Sequence, residues 1–246
     1  MDHVGNVVMK SWRLLPGWVL IACLLPAALL LSWLLLARLD FCYPLWYQVL
    51  GIERHIAFYA PQNRHGRDDF IQTSPEEHRR LFGLIVAGIH GRADLEAIEY
   101  RDEQGRTLGQ LMHPDEIGHL RDVARLVKLL LAAGWVTLAI AVALALLLSW
   151  RRWDLPPPGQ VALAAALLLG GGGLLLALVG PQRVFDLLHE WIFPPEHPWF
   201  FYYQDSLMTT LLKAPQIFAA IAATWVGLAL LFCGLTIMVI NRAIRQ

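Results

Sequence analysis

Charge is scarce in this chain. Only 16% of its 246 residues are Asp, Glu, Lys or Arg, against roughly 25% in an ordinary soluble domain. Neither sign predominates, because twenty basic residues balance twenty acidic ones. The missing basic excess argues against nucleic acid as a partner. Cysteine is also rare. Cys23, Cys42 and Cys233 are too few for a disulfide framework. The chain has no C-x-x-C pair, which separates it from four-span thiol oxidases that depend on such pairs. It has no G-x-S-x-G elbow and no H-E-x-x-H zinc motif. Its Gly170–Gly173 run follows no strand, so it is not a phosphate loop; close helix packing is the expected use.

What is abundant is apolar sequence. Hydrophobic residues make up 57% of the chain, and they fall in blocks. A bilayer core of roughly 30 Å needs about 20 apolar residues in helical form. Four stretches qualify, at about 17–39, 126–150, 160–180 and 215–240. The expected fold class is an α-helical membrane protein, a single membrane domain over 1–246 with four transmembrane helices. The first stretch is too long for a signal peptide, and Arg38-Leu39-Asp40 is no cleavage site. Lys10 and Arg13 precede span one, Arg151 and Arg152 follow span two, and Arg242 and Arg245 follow span four. The positive-inside rule puts all three clusters, and both termini, in the cytoplasm.

Two loops then face outward, a long one over 40–125 and a short interfacial one over 181–214. Eight of the nine histidines, at 55, 65, 78, 90, 113, 119, 189 and 197, fall in them. In the long loop, Ile52 to Tyr59 reads as an amphipathic helix. Ser74-Pro75-Glu76-Glu77 places an N-cap before a first-turn proline and starts a helix carrying Leu81, Leu84, Ile85 and Ile89 on one stripe. Leu95 to Tyr100 and Arg106 to Met112 read as short strands joined by a turn at Asp102–Gly105. The expectation is a small extracytoplasmic α/β subdomain between helices 1 and 2.

Pro114, Asp115 and Glu116 suit the start of a helix that runs unbroken into span two. Glu116, His119 and Asp122 share one of its faces, and a carboxylate at that spacing can hold an imidazole in one tautomer. After Gly180-Pro181 ends or bends span three, Phe185, Leu188, His189 and Ile192 line one side of an amphipathic interfacial helix. Trp191, Trp199, Phe200, Phe201, Tyr202 and Tyr203 form an aromatic belt at headgroup level. His119 and His189 therefore sit at similar membrane depth. Such a pair suits general acid–base chemistry at ambient pH. The plainer readings are a solvated helix-end histidine for His119 and a headgroup contact for His189. His119-x-x-Asp122 also has the spacing of half a metal site, and Cys42 is a lone interfacial thiol. A membrane acyltransferase or lipid hydrolase using the same histidines, a non-enzymatic membrane assembly factor and a metal-handling protein stay open as alternatives.

The two histidine segments together resemble a known family. Glu116, His119, Asp122 and Val123 match its first motif. Phe185, His189, Phe193, Trp199 and Asp205 match its second, and Pro215 and Phe218 match the opening of its last span. The chain is similar here to the small four-span family that includes the bacterial lipoprotein intramolecular transacylase. The resemblance is sharp over about 113–127 and 181–218, and topological elsewhere. It implies an acyltransferase of the bacterial cytoplasmic membrane, multi-pass, with its active site at the outer face. The substrate would be a diacylglyceryl-modified lipoprotein, whose sn-2 acyl chain moves to the α-amine of the N-terminal cysteine to give the lyso form. It implies no cofactor, whether nucleotide, metal or second lipid donor; membrane lipid is the surrounding partner. His119 and His189 would be catalytic, with Glu116 and Asp122 orienting. Arg183, Phe185, Trp191, Phe193, Trp199 and Asp205 are the expected substrate-binding set. Glu190-Trp191 directly after His189, and Pro194, Pro195 and His197, depart from the family pattern.

Overall fold

A computed structural model of the chain describes residues 2–245, with side chains for residues 14–244. The side chains of His3, Lys10, Arg13 and Arg245 lie outside the described residues. The elements run α1 (Asp2–Arg38), α2 (Tyr43–Val49), α3 (Ile52–Tyr59), α4 (Pro75–Ile89), β1 (Glu99–Arg101), β2 (Thr107–Gln110), α5 (Pro114–Arg151), α6 (Pro158–Val179), α7 (Pro181–Ile192), α8 (Leu207–Leu212) and α9 (Gln216–Arg245). Four helices are long and apolar enough to cross a bilayer: α1 from Leu14, α5, α6, and α9 to Ile244. They fall on the four expected spans, and the chain is a multi-pass helical membrane protein with one small two-stranded sheet.

The chain divides into two compact units. One comprises the chain up to Ser32, Leu131–His189, and the chain from Val226 on. Its core is built by α1, α5 and α9 through Leu20, Leu24, Ala141, Leu148, Ile240 and Ile244. Gly134 makes the close approach: a Cβ there would stand 2.9 Å from Leu30 Cβ. Small residues at such points let backbones pack without the hydrophobic driving force that lipid lacks. Among the described residues, the Gly170–Gly173 run does not do this. A Cβ at any of the four meets nothing within 4 Å, and α6 buries no residue. An all-apolar helix is solvated as well by lipid tails as by neighbours, so α6 needs no internal partner. Gly180, at φ +88°, breaks α6 from α7, as its Gly-Pro sequence suggests.

The second unit comprises Trp33–Leu130 and Glu190–Trp225. Its core holds Tyr43, Ile52, Phe70, Leu81, Tyr100, Leu111, Leu207, Leu211 and Ile217. Residues from both expected loops thus share one core, and all six residues of α8 are buried in it. Ser74 caps α4 as its sequence predicts, its hydroxyl accepting from Glu77 N–H at 3.2 Å. Along α4, Leu81, Phe82, Ile85 and Val86 turn inward, and Phe82 stacks on Tyr43 with ring centroids 4.1 Å apart. The hairpin is antiparallel, with Glu99 opposite Gln110 and Tyr100 opposite Gly109. It is shorter than expected. Asp94 accepts from Glu96 N–H at 3.0 Å and winds Leu95–Ala97 into a 3₁₀ turn, while Leu111 and Met112 enter the core. The turn forms where expected: the Asp102 carboxylate accepts from the N–H groups of Gln104 and Arg106, both at 2.9 Å, and Gly105 takes φ +80°.

Between α1 and α2 the chain turns through Asp40, Phe41 and Cys42, all at φ between +45° and +59°. Three consecutive non-glycine residues in the left-handed region are strained. Burial of Phe41 and Tyr43 on either side of Cys42, and the edge contact of Phe41 with Trp33 at 4.8 Å, hold the turn.

Candidate active site

The site is built on the first three turns of α5. Glu116, His119 and Asp122 recur every three residues, so they project from one face. All three are buried, Glu116 to 1% exposure and His119 to 9%. Each meets a residue of the segment between Glu190 and Ser206.

Glu116 is the lowest of the three. One carboxylate oxygen accepts from His113 N–H at 2.6 Å, the back-bond by which a third-position Glu closes a helix N-terminus. The other accepts from the Ser206 hydroxyl. Ser206 Oγ in turn accepts from Thr209 N–H at 2.8 Å and so caps α8. One buried carboxylate thus joins the starts of α5 and α8. One turn further on, the His119 ring has Phe193 edge-on at 4.9 Å and Phe201 at 6.4 Å, so it lies under aromatic cover.

Asp122 occupies the next turn. Its Oδ2 accepts from His197 Nδ1–H at 2.5 Å, and its Oδ1 from Arg125. An ionised carboxylate can only accept, so the His197 proton sits on Nδ1 and Nε2 is the basic nitrogen of the neutral ring. In the sequence alone His197 stands out only as a departure from the family pattern. The available signal was its setting, between Pro195 and Pro198 in the segment Pro194–Pro198. These prolines restrict the loop, and His197 N–H closes a turn on Pro194 O at 3.1 Å.

Asp205 faces Arg64 at 3.5 Å and His65 at 3.8 Å. Trp199 lies 6.2 Å from Phe200, and Trp191 is 78% exposed. In the other unit, His189 lies on α7, its ring 4.0 Å from Phe185. Its Nδ1 is 2.8 Å from the Phe185 carbonyl oxygen. A carbonyl cannot donate, so Nδ1 carries the proton and Nε2 is the basic atom of the neutral ring. Arg183 stands exposed on the same helix. Among the described residues, no group of three or more His, Cys, Asp and Glu side chains has the arrangement of a metal site.

A second polar cluster lies beside Glu116. Arg67 anchors itself through Nη1 to the carbonyls of Gln110 and Leu111, at 3.2 and 3.0 Å. His113 lies against His65 with ring centroids 4.5 Å apart. Burial, with Arg67 and His65 adding to it, lowers the His113 pKa, so His113 favours the neutral form. Deeper in the unit, His78 is held between two hydroxyls, Tyr47 at 2.8 Å and Thr73 at 2.6 Å. The Thr73 hydroxyl already donates to Phe70 O at 2.7 Å. His78 Nε2–H therefore donates to Thr73, and Nδ1 accepts from Tyr47. Burial pushes the His78 pKa down to about 4.

The family profile described as lipoprotein intramolecular transacylase Lit matches residues 93–215, half of the chain. That range contains His119, His189 and the whole connecting loop. Among solved structures, the chain is similar to the membrane-integral lipoprotein intramolecular transacylase Lit from Bacillus cereus, determined in meso as a His-to-Arg variant. The TM-score is 0.66 at 12% sequence identity, over 100% of this chain and 97% of that one. At that identity the likeness is one of fold. Among curated proteins, none matches by sequence. By the profile match, this chain belongs to the lipoprotein intramolecular transacylase Lit family.

Proposed function

We propose that this protein catalyses intramolecular O-to-N acyl transfer on a diacylglyceryl-modified lipoprotein at the outer face of the bacterial cytoplasmic membrane. The sn-2 ester C–O bond breaks, and an amide C–N bond forms to the α-amine of the N-terminal cysteine. That amine enters as an ammonium and loses two protons overall. One ends on the glycerol oxygen and one leaves to solvent. Both reacting groups belong to one molecule, so holding them together supplies proximity, worth roughly 7–11 kcal/mol in well-oriented cases.

His119 and His189 carry the protons in this reading. In it His189, whose Nδ1 is oriented by Phe185 O, is the base that takes the amine proton during attack. His119 then donates to the departing glycerol oxygen. Glu116 and Asp122, bonded to Ser206 and His197, hold α5 in place on either side of His119. Phe193 and Phe201 over His119 limit water, so hydrolysis does not compete. Phe185, Trp191, Trp199, Asp205 and Arg183 would meet the lipid and its peptide. The observation that carries the proposal is family membership over residues that include both histidines.

The test is mass spectrometry of lipoprotein N-termini from cells or proteoliposomes with the wild type, His119→Ala or His189→Ala. N-acylated lyso-lipoprotein is expected with the wild type alone. Free fatty acid without N-acylation would instead make the protein a lipid hydrolase.

A further inference from the structure

We infer that His197 is a positioning residue whose bond to Asp122 decides whether the acyl group goes to the amine or to water. This rests on the transacylase reading and deepens it. Three observations within the second unit combine. The His197–Asp122 bond, at 2.5 Å, ties the 190–206 segment to α5 one turn beyond His119. Phe193 and Phe201, which cover His119, both lie four residues from His197, one on each side. Pro194, Pro195 and Pro198 restrict the chain around it, so a tie at residue 197 is transmitted to both phenylalanines. The Asp122 side chain is 5% exposed and the His197 side chain 42%. The anchor is therefore buried and the clasp sits at the rim. Asp122 is held on its other oxygen by Arg125, which fixes the carboxylate for His197.

The chemistry gives this tie a consequence. An ester beside a basic imidazole reacts with whichever nucleophile arrives. With the amine, the C–O bond breaks, the C–N bond forms, and the glycerol oxygen gains a proton. With water, the same C–O bond breaks and a C–O bond to water forms. The products are then free fatty acid, the glycerol hydroxyl and an unmodified amine. Both routes balance, and both pass through the same His119. What separates them is exclusion of water. A clasp that holds two aromatic rings over His119 acts on that partition, without itself touching the reacting atoms.

The test uses the full-length protein in proteoliposomes with a diacylglyceryl lipopeptide. The ratio of fatty acid released to N-acylated product is read for the wild type, His197→Ala, His197→Asn and Asp122→Ala. His197→Ala is expected to raise the hydrolytic fraction about tenfold. His197→Asn, whose amide can still donate to Asp122, restores most of the wild-type ratio. The double variant His197→Ala/Asp122→Ala is no worse than Asp122→Ala, because both remove one bond. A uniform loss of turnover with an unchanged ratio in His197→Ala overturns the inference, as does failure of His197→Asn to rescue. Hydrogen exchange of amides in 196–203 supplies a readout that needs no turnover. It should quicken about tenfold in His197→Ala and recover in His197→Asn, and unchanged exchange overturns the clasp. Absence of N-acylated product with the wild type would instead sink the transacylase assignment, leaving the exchange result to judge the clasp alone.

Discussion

Glu116 offers the clearest structural perturbation. Its carboxylate is 1% exposed and accepts two hydrogen bonds, from His113 N–H at 2.6 Å and from the Ser206 hydroxyl. Glu116→Ala removes both and leaves a part-buried N–H and a buried O–H without an acceptor. Hydrogen bonds to charged groups contribute about 1.5–3 kcal/mol each. The loss is thus expected at roughly 3–5 kcal/mol, since Ser206 keeps its acceptor bond from Thr209 N–H. Glu116→Gln retains one acceptor oxygen and turns an N–H₂ toward the other donor. The Ser206 hydroxyl can rotate to accept it, so about 1 kcal/mol is lost. Ser206→Ala falls between them, because it removes one bond to Glu116 and the cap of α8. The assay is the thermal unfolding midpoint of the purified protein in detergent, with a double-mutant cycle on Glu116 and Ser206. The expected order of loss is Glu116→Ala, Ser206→Ala, Glu116→Gln, with a coupling energy above about 1 kcal/mol. An unchanged midpoint in Glu116→Ala, or additive single effects, would refute the assignment of Glu116 as the link between α5 and α8.

His78 is kept neutral in the fold at a pKa of about 4, below its ordinary value near 6.5. Its contribution is therefore complete above pH 6.5 and is lost as pH falls from 6.5 through 4, a change of about 3 kcal/mol; melting curves across that window should show the decline, and His78→Gln should flatten it. Gly134→Ala forces a methyl against Leu30 Cβ at 2.9 Å and should cost about 1–3 kcal/mol by overpacking. Gly172→Ala, with open space around it, should be neutral or raise helix stability by about 0.5–1 kcal/mol, and the pair of melting points checks both. Ser74→Ala removes the cap bond to Glu77 N–H and should cost about 1 kcal/mol, measured in the same assay.

Much of the fold is legible in the sequence because the strongest rules act locally. Four apolar runs must be helical in lipid, where every backbone polar group needs an internal partner. Ser74-Pro75 starts α4, and Asp102 to Gly105 turns the hairpin, through contacts a few residues apart. The shared face of Glu116, His119 and Asp122 follows from helical period alone. What was not legible depends on partners far along the chain. Nothing near Ser206 announces that its hydroxyl meets a carboxylate ninety positions earlier. His197 lies in an irregular proline-rich segment where no periodicity operates, so its bond to Asp122 has no local signature. The left-handed run at Asp40–Cys42 contradicts local preference and persists because burial on both sides imposes it. The glycine run misleads for a related reason. Its composition fits close packing, but only three-dimensional context distinguishes Gly134, which a neighbour touches, from Gly170–Gly173, which nothing among the described residues approaches.

The central claim is that His119 and His189 catalyse acyl transfer to the lipoprotein amine. Its most direct measurement is the mass of lipoprotein N-termini made by the purified protein in proteoliposomes from a diacylglyceryl lipopeptide. N-acylated lyso-lipopeptide should accumulate with the wild type and fall at least a hundredfold with either His119→Ala or His189→Ala, each variant retaining its wild-type melting behaviour. Equal N-acylation by wild type and by both folded variants would contradict it.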